Sequence, residues 1–465
     1  MGRQEKDLLG FREIPNEAYW GIQTLRAVEN FPITGITIST HTNLIKAIAA
    51  VKMACAQANA ELNQLDPTKK DAIVTACQHI MDGHHHNQFI VDVIQGGAGT
   101  STNMNANEVI ANIALETLGH PKGTYDLINP NDHVNLSQST NDVYPTALKI
   151  ALLYSIEDLK VAMNHVQQSF AHKAREFYSV LKMGRTQLQD AVPMTLGQEF
   201  GAFAIMIGED RDRIEEVAQL LTEINLGATA IGTGINAPLG YTELAAQHLA
   251  TITGFNVTTA ADLVEATQDV GSLVQMSGTL KRVAVKLSKI CNDLRLLSSG
   301  PRAGFSEINL PPVQAGSSIM PGKVNPVIPE VVSQVAYEVI GNDVAISIAA
   351  EAGQLQLNAF EPVIFHKLDS GIGHLTAACH TLADRCVNGI TANETRLREM
   401  VEHSIGLATA LNPLLGYSVA TSIASEALAT GRGVAEIVLE RELMTAEELA
   451  VVLSPEKLAN LRPLL

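Results

Sequence analysis

The stretch Leu273-Val274-Gln275-Met276-Ser277-Gly278-Thr279-Leu280-Lys281-Arg282-Val283-Ala284-Val285-Lys286-Leu287-Ser288-Lys289-Ile290-Cys291-Asn292-Asp293-Leu294-Arg295-Leu296-Leu297 decides the fold. Leu273, Leu280, Leu287 and Leu294 recur at heptad spacing, and Met276, Val283, Ile290 and Leu297 form a second row. Ser277, Ala284 and Cys291 follow the first three leucines at helical spacing. Leucines beside small residues make a wide apolar face that lets a neighbouring helix come close. Extended outward over residues 260–299, the pattern predicts one helix of about forty residues, roughly 60 Å long at 1.5 Å per residue. A helix that long, apolar on several sides, belongs inside a bundle.

Working outward, similar helical stretches span residues 146–181, 195–226, 329–354 and 360–386. Turns such as Gly232-Thr233-Gly234 and Asn236-Ala237-Pro238 punctuate them. Aromatic residues are only 4% of the chain, while Ala, Leu, Ile and Val dominate, which favours helix-on-helix packing. The expectation is an all-α chain in three domains. These are an N-terminal domain over 1–140, a central long-helix bundle over 141–392 and a small helical C-terminal domain over 393–465. The last includes a helix over 445–453 with Thr445 ahead of Glu447 and Glu448.

The 465 residues are 46% hydrophobic and only 17% charged. So little charge on so long a chain implies that other subunits cover part of its surface. The net charge of −17 argues against a nucleic-acid binder or a polybasic membrane binder. It leaves room for a small anionic substrate held by a few local cations. Five cysteines without a CxxC pair, and a start without an apolar signal region, point to a reduced, cytoplasmic protein. The charge-free stretches 224–242 and 403–425 are interrupted by Gly and Pro and are not membrane spans.

Four segments are poor in bulky residues and rich in hydroxyls, amides and glycine. They are Gly96-Gly97-Ala98-Gly99-Thr100-Ser101-Thr102-Asn103, Ser137-Gln138-Ser139-Thr140-Asn141-Asp142, Gly184-Arg185-Thr186-Gln187, and Gly316-Ser317-Ser318-Ile319-Met320-Pro321-Gly322-Lys323-Val324-Asn325-Pro326. Singly, each reads as a turn with helix caps. Together they offer many neutral donors and few cations, an inventory suited to a small dicarboxylate. No Lys-Ser/Thr pair follows the glycines of the first, so it is not a P-loop.

The fourth segment resembles the signature loop of the fumarase/aspartase superfamily, and the other three match that family's active-site segments in order. Details are closest to the aspartase branch: Trp20-Gly21-Ile22-Gln23-Thr24-Leu25-Arg26-Ala27, Gly184 through Met194, and Asn358-Ala359-Phe360-Glu361-Pro362-Val363-Ile364. Ser139-Thr140-Asn141 fits that branch too, where fumarases usually carry two serines. The resemblance implies reversible removal of ammonia from L-aspartate to give fumarate. It implies that Thr100, Ser139, Thr140 and Ser318 surround the β-carboxylate. Lys323, Asn325 and Thr186 would hold the α-carboxylate, and Asn141 would contact the amino group. Ser317 would be the base, on a loop hinged by Gly316 and Gly322. It also implies a homotetramer whose central bundle pools helices of four subunits, each site drawing segments from three.

One departure concerns Gln187, where fumarases and some aspartases have His. Gln187 is no acid or base at neutral pH, though it can donate a hydrogen bond to substrate. The same change deprives Glu330 of its usual partner. Glu361, Thr140 and Gln187 favour the ammonia-lyase over a class II fumarase, the runner-up. Intact Ser317, Lys323 and Asn325 argue against a catalytically silent structural relative. No cofactor is expected. Divalent-metal activation occurs in some relatives, but no ligand set is visible: His84-His85-His86 are adjacent and have no acidic or Cys partner at useful spacing.

Overall fold

The computed structural model describes residues 2–461; the outermost ends of the first and last expected domains lie outside them. The described residues are mostly helical, with four two-stranded sheets among them as minor additions. Five long helices dominate: Thr140–Glu176, Leu196–Ala218, Gly271–Leu297, Val327–Glu351 and Glu361–Arg385. Among the described residues, no helix is long and apolar enough to cross a membrane.

The decisive heptads are buried as expected. Leu273, Leu280, Leu287, Leu294, Met276, Val283, Ile290 and Leu297 all lie in the core, as do Ser277, Ala284 and Cys291. The expected length is corrected. The helix has 27 residues, about 40 Å at the α-helical rise. It starts at Gly271 because Asp262 caps a separate short helix, Leu263–Gln268, accepting from the N–H groups of Val264 and Glu265. Asp269 then accepts from the Gly271 N–H. Two caps in close succession divide what apolar periodicity alone read as continuous.

The Thr140–Glu176 helix starts ahead of the expected residue 146 and passes through Pro145. Proline removes the N–H that would bond the carbonyl four residues back, that of Asn141. The Asn225 side chain takes that carbonyl instead, at 3.0 Å. At its other end this helix stops at Glu176, and residues 181–195 form a hairpin the sequence reading missed. Strands Leu181–Thr186 and Gln189–Thr195 pair antiparallel, closed by Gln187 and Leu188, both with positive φ.

The fold resolves into two compact units. One comprises the segment up to Lys160, Asp212–Arg282 and Tyr337–His374; the other comprises Val161–Arg211, Val283–Ala336 and the segment from Leu375. In the first, Ser277 and Lys281 both bond Asp343, at 2.8 and 2.6 Å. In the second, Lys286 reaches Asp210 at 2.9 Å. The C-terminal helices there enclose Met183 of the hairpin among Val401, Leu407, Leu411 and Ile423. The expected tail helix forms as Ala446–Val452, with Thr445 and Glu448 making a reciprocal capping box.

Candidate functional site

The first unit holds Thr100, Ser139, Thr140 and Asn141, the last three tied into local hydrogen bonds. Thr100 opens the Thr100–Thr117 helix directly after Gly99. Gly99 has φ 88°, and a Cβ there would sit 2.3 Å from the Tyr144 ring, so only glycine fits. One turn on, the Asn103 Nδ2 donates to Thr140 Oγ1 at 3.0 Å. The Ser139 Oγ accepts from the Asn141 N–H at 3.2 Å. Both hydroxyls accept from the protein behind them, so their own O–H groups are free to donate forward. Thr100 differs: its O–H donates to the Gly97 carbonyl at 2.8 Å and must rotate to serve a ligand.

Buried groups set this arrangement, and sequence reasoning overlooked them. Asp142 is fully buried and accepts from the N–H groups of Ser139, Gly227 and Thr229 at 3.0, 3.1 and 2.9 Å. Burial pushes its carboxyl up to about 6, against the pull of those N–H groups and of Lys52. It ties the 227–230 loop to the start of the long helix. Asn141 in turn donates from Nδ2 to the Ala230 carbonyl at 2.7 Å. Lys52, also fully buried, donates to Asn135 and Gln138 at 2.8 and 2.9 Å, and burial lowers its pKa to about 7. Asn135 Oδ1 also accepts from Asn103 at 3.2 Å, linking Lys52 to Thr140. The available signal was Lys52 itself, a lone cation in the apolar run Ile48-Ala49-Ala50-Val51-Lys52-Met53-Ala54-Cys55. A cleft of about 500 Å³ borders this network, lined among others by Ser139, Thr229, Ala230 and Asn236.

The second unit holds the remaining six candidates on two elements. Thr186 and Gln187 lie exposed at the hairpin tip. Its base is fixed by the buried Glu307, which binds Arg185 at 2.5 Å and Lys182 at 2.9 Å. The other four, Ser317, Ser318, Lys323 and Asn325, belong to a loop that closes on itself. The Gly316 N–H donates to the Lys323 carbonyl at 2.9 Å, and Asn325 Nδ2 donates to the Gly316 carbonyl at 2.7 Å. A Cβ on Gly316 would meet that Lys323 oxygen at 2.5 Å. Within the loop, the Ser317 Oγ accepts from the N–H groups of Ile319 and Met320 at 3.2 and 3.1 Å. Ser318 and Lys323 are exposed.

A family model described as "Lyase" matches residues 10–341, and one described as "Fumarase C C-terminus" matches residues 407–460. Aspartate ammonia-lyase of Pseudomonas aeruginosa is 60% identical over 98% of this chain and 96% of its own length. The enzymes of that name from Helicobacter pylori and Escherichia coli are 56% and 54% identical, each over 98% of this chain. They are covered over 98% and 96% of their own lengths.

The chain belongs to the fumarase/aspartase superfamily.

Solved members of the superfamily share the fold over nearly the whole chain. A Brucella melitensis protein described as "fumarate lyase:delta crystallin", bound to cobalt, superposes with a TM-score of 0.97 at 57% identity, over 99% of this chain and all of its own. A class II fumarase from Schistosoma mansoni does so with 0.92 at 34% identity, over 99% of both chains.

His84 and His85 lie in a turn and His86 opens a single 3-10 turn; His86 Nε2 contacts the Ile80 carbonyl at 2.8 Å. Among the described residues, the side chains that could hold an ion together are His165, His380 and Asp384, which the sequence reading did not bring together.

Proposed function

We propose that the chain catalyses reversible deamination of L-aspartate to fumarate and ammonia, as a carbon–nitrogen lyase acting on a small-molecule substrate. The observation that carries the reading is the setting of Ser317, whose Oγ receives two backbone N–H groups on a glycine-flanked loop. Those donors, with the Lys323 charge, lower the cost of an alkoxide. As the alkoxide, Ser317 takes the proton from the β-carbon. The C–H electron pair moves into the β-carboxylate, giving a dianionic aci-carboxylate. Collapse of that intermediate forms the carbon–carbon double bond and expels ammonia from the α-carbon.

The extra charge is the difficulty, and hydroxyl donors answer it. Ser139 and Thr140, already accepting from behind, aim their O–H groups at the β-carboxylate with Ser318 and a rotated Thr100. One such preorganised donor is worth about 2.7–4 kcal/mol in the transition state. Lys323, Asn325 and Thr186 hold the α-carboxylate, Lys323 as a compact point charge. Asn325 does so with the Nδ2 hydrogen not engaged by Gly316. Asn141, anchored on Ala230, offers its Oδ1 to the substrate ammonium group. Gln187 donates one hydrogen bond to substrate. The chemistry calls on no cofactor in this scheme.

The chain acts as a homotetramer whose sites combine segments from different subunits. Tyr337, Val344 and Ile348, with Gly341 between them, form an exposed apolar heptad stripe on the Val327–Glu351 helix, as a helix packing against another copy requires. The five free cysteines are all buried, in keeping with a reducing cytoplasmic setting. The test gives purified protein L-aspartate and L-malate separately and measures fumarate. Fumarate with equimolar ammonia from aspartate alone is expected; fumarate from malate alone would replace this reading with a fumarase.

A further inference from the structure

His380 and Asp384 stand one helical turn apart on Glu361–Arg385, so they share a face. His165 lies on Thr140–Glu176. Its Nε2 is 2.7 Å from Asp384 Oδ1, and its ring centroid is 5.5 Å from that of His380. One ligand atom from each of the three lies within 4.8 Å of the others. We propose that His165, His380 and Asp384 form a binding site for a divalent first-row transition-metal ion such as Zn²⁺ or Co²⁺.

The donor set selects that class. Two imidazoles and one carboxylate suit zinc, cobalt or nickel, whereas magnesium and calcium prefer oxygen alone. Three protein ligands leave the remaining positions to water, and the partial exposure of all three lets an ion enter from solvent. The hydrogen bond between His165 and Asp384 already holds two ligands together. Bound metal ties two long helices to each other, and because it binds only the folded chain it stabilises the fold. None of the three residues has a role in the reaction proposed above.

The competing explanation is an interhelical ion pair with no metal function. That pair uses His165 and Asp384 and leaves His380 only its ring contact with His165, so His380 separates the two. The experiment titrates full-length, tag-free protein with Co²⁺, following visible absorption, and repeats the titration with Zn²⁺ as competitor. Thermal midpoints are recorded with and without Zn²⁺. The expected result is saturable Co²⁺ binding displaced by Zn²⁺, with a midpoint that climbs with Zn²⁺ concentration. His380→Ala should weaken Co²⁺ binding by at least about tenfold, the scale of losing even a supporting group around a metal. Its metal-free midpoint should match that of the parent protein. Should that midpoint fall instead, His380→Gln carries the same comparison. Binding that is absent, or unchanged in the His380 variant, overturns the proposal.

Discussion

A serine hydroxyl is a weak base, so the role proposed for Ser317 depends on a loop able to carry charge. The Ile319 and Met320 N–H groups converge on its Oγ, and Gly316 lets the loop close on the Lys323 carbonyl. Ser317→Ala should therefore lower kcat by about 10²–10⁴, the usual range for a positioned base. Fumarate affinity, measured by equilibrium binding, should stay within a few-fold; a loss confined to affinity would make Ser317 a binding group.

Glu361 is a buried carboxyl with no role in the proposed reaction. Burial, only partly offset by Lys149, pushes its pKa from 4.5 to about 8. The folded chain thus holds this proton over a range where the unfolded chain has released it. Its contribution is full below pH 4.5 and is lost as pH rises towards 8, with a slope of at most about 1.4 kcal/mol per pH unit. Glu361→Gln should flatten the decline of thermal midpoint between about pH 5 and 7. Lys52 titrates in the folded chain at about 7, so its effect falls mostly above that window. An unaltered pH profile would show that Glu361 is ionised throughout.

Candidate residues in contiguous motifs, such as Ser317 and Lys323, could be singled out from the sequence. The bonding of Lys52, Asp142 and Asn225 could not, because their partners lie far along the chain. Lys52 and Asn135 are 83 positions apart, and Asp142 and Thr229 are 87.

At the scale of elements, apolar periodicity located all five long helices, because burial of one stripe is what stabilises them. It failed at their ends, where polar side chains decide. Asp262 and Asp269 separated the Gly271–Leu297 helix from what precedes it, and Asn225 let Thr140–Glu176 run through Pro145. The hairpin was hidden for another reason. Its turn uses Gln187 and Leu188 at φ 54° and 64°, where such turns ordinarily advertise themselves with Asn-Gly. A side chain in that strained position is worth testing for function. Gln187→Gly suits the turn and removes the side chain with its amide. Its thermal midpoint should stay within a few degrees, while KM for aspartate rises by a few-fold to about tenfold, equivalent to one hydrogen bond. An unchanged KM would mean that the amide does not touch substrate.

For the whole molecule, composition already hinted at assembly: 17% charged residues leave little hydrophilic cover for 465. Tyr337, Val344 and Ile348 are exposed apolar positions on one helix. Four of the candidate residues belong to one compact unit and six to the other. The central claim is that hydroxyl donors and the Ser317 base from different subunits complete one site. The most direct measurement mixes two inactive variants, Ser317→Ala and Thr140→Val, unfolds and refolds them together, and assays ammonia release from L-aspartate. Each variant refolded alone should be nearly inactive, and the mixture should recover a readily measured fraction of normal activity, because some sites then pair an intact Ser317 with an intact Thr140. No recovery, in a mixture shown to contain hybrid oligomers, would contradict the account.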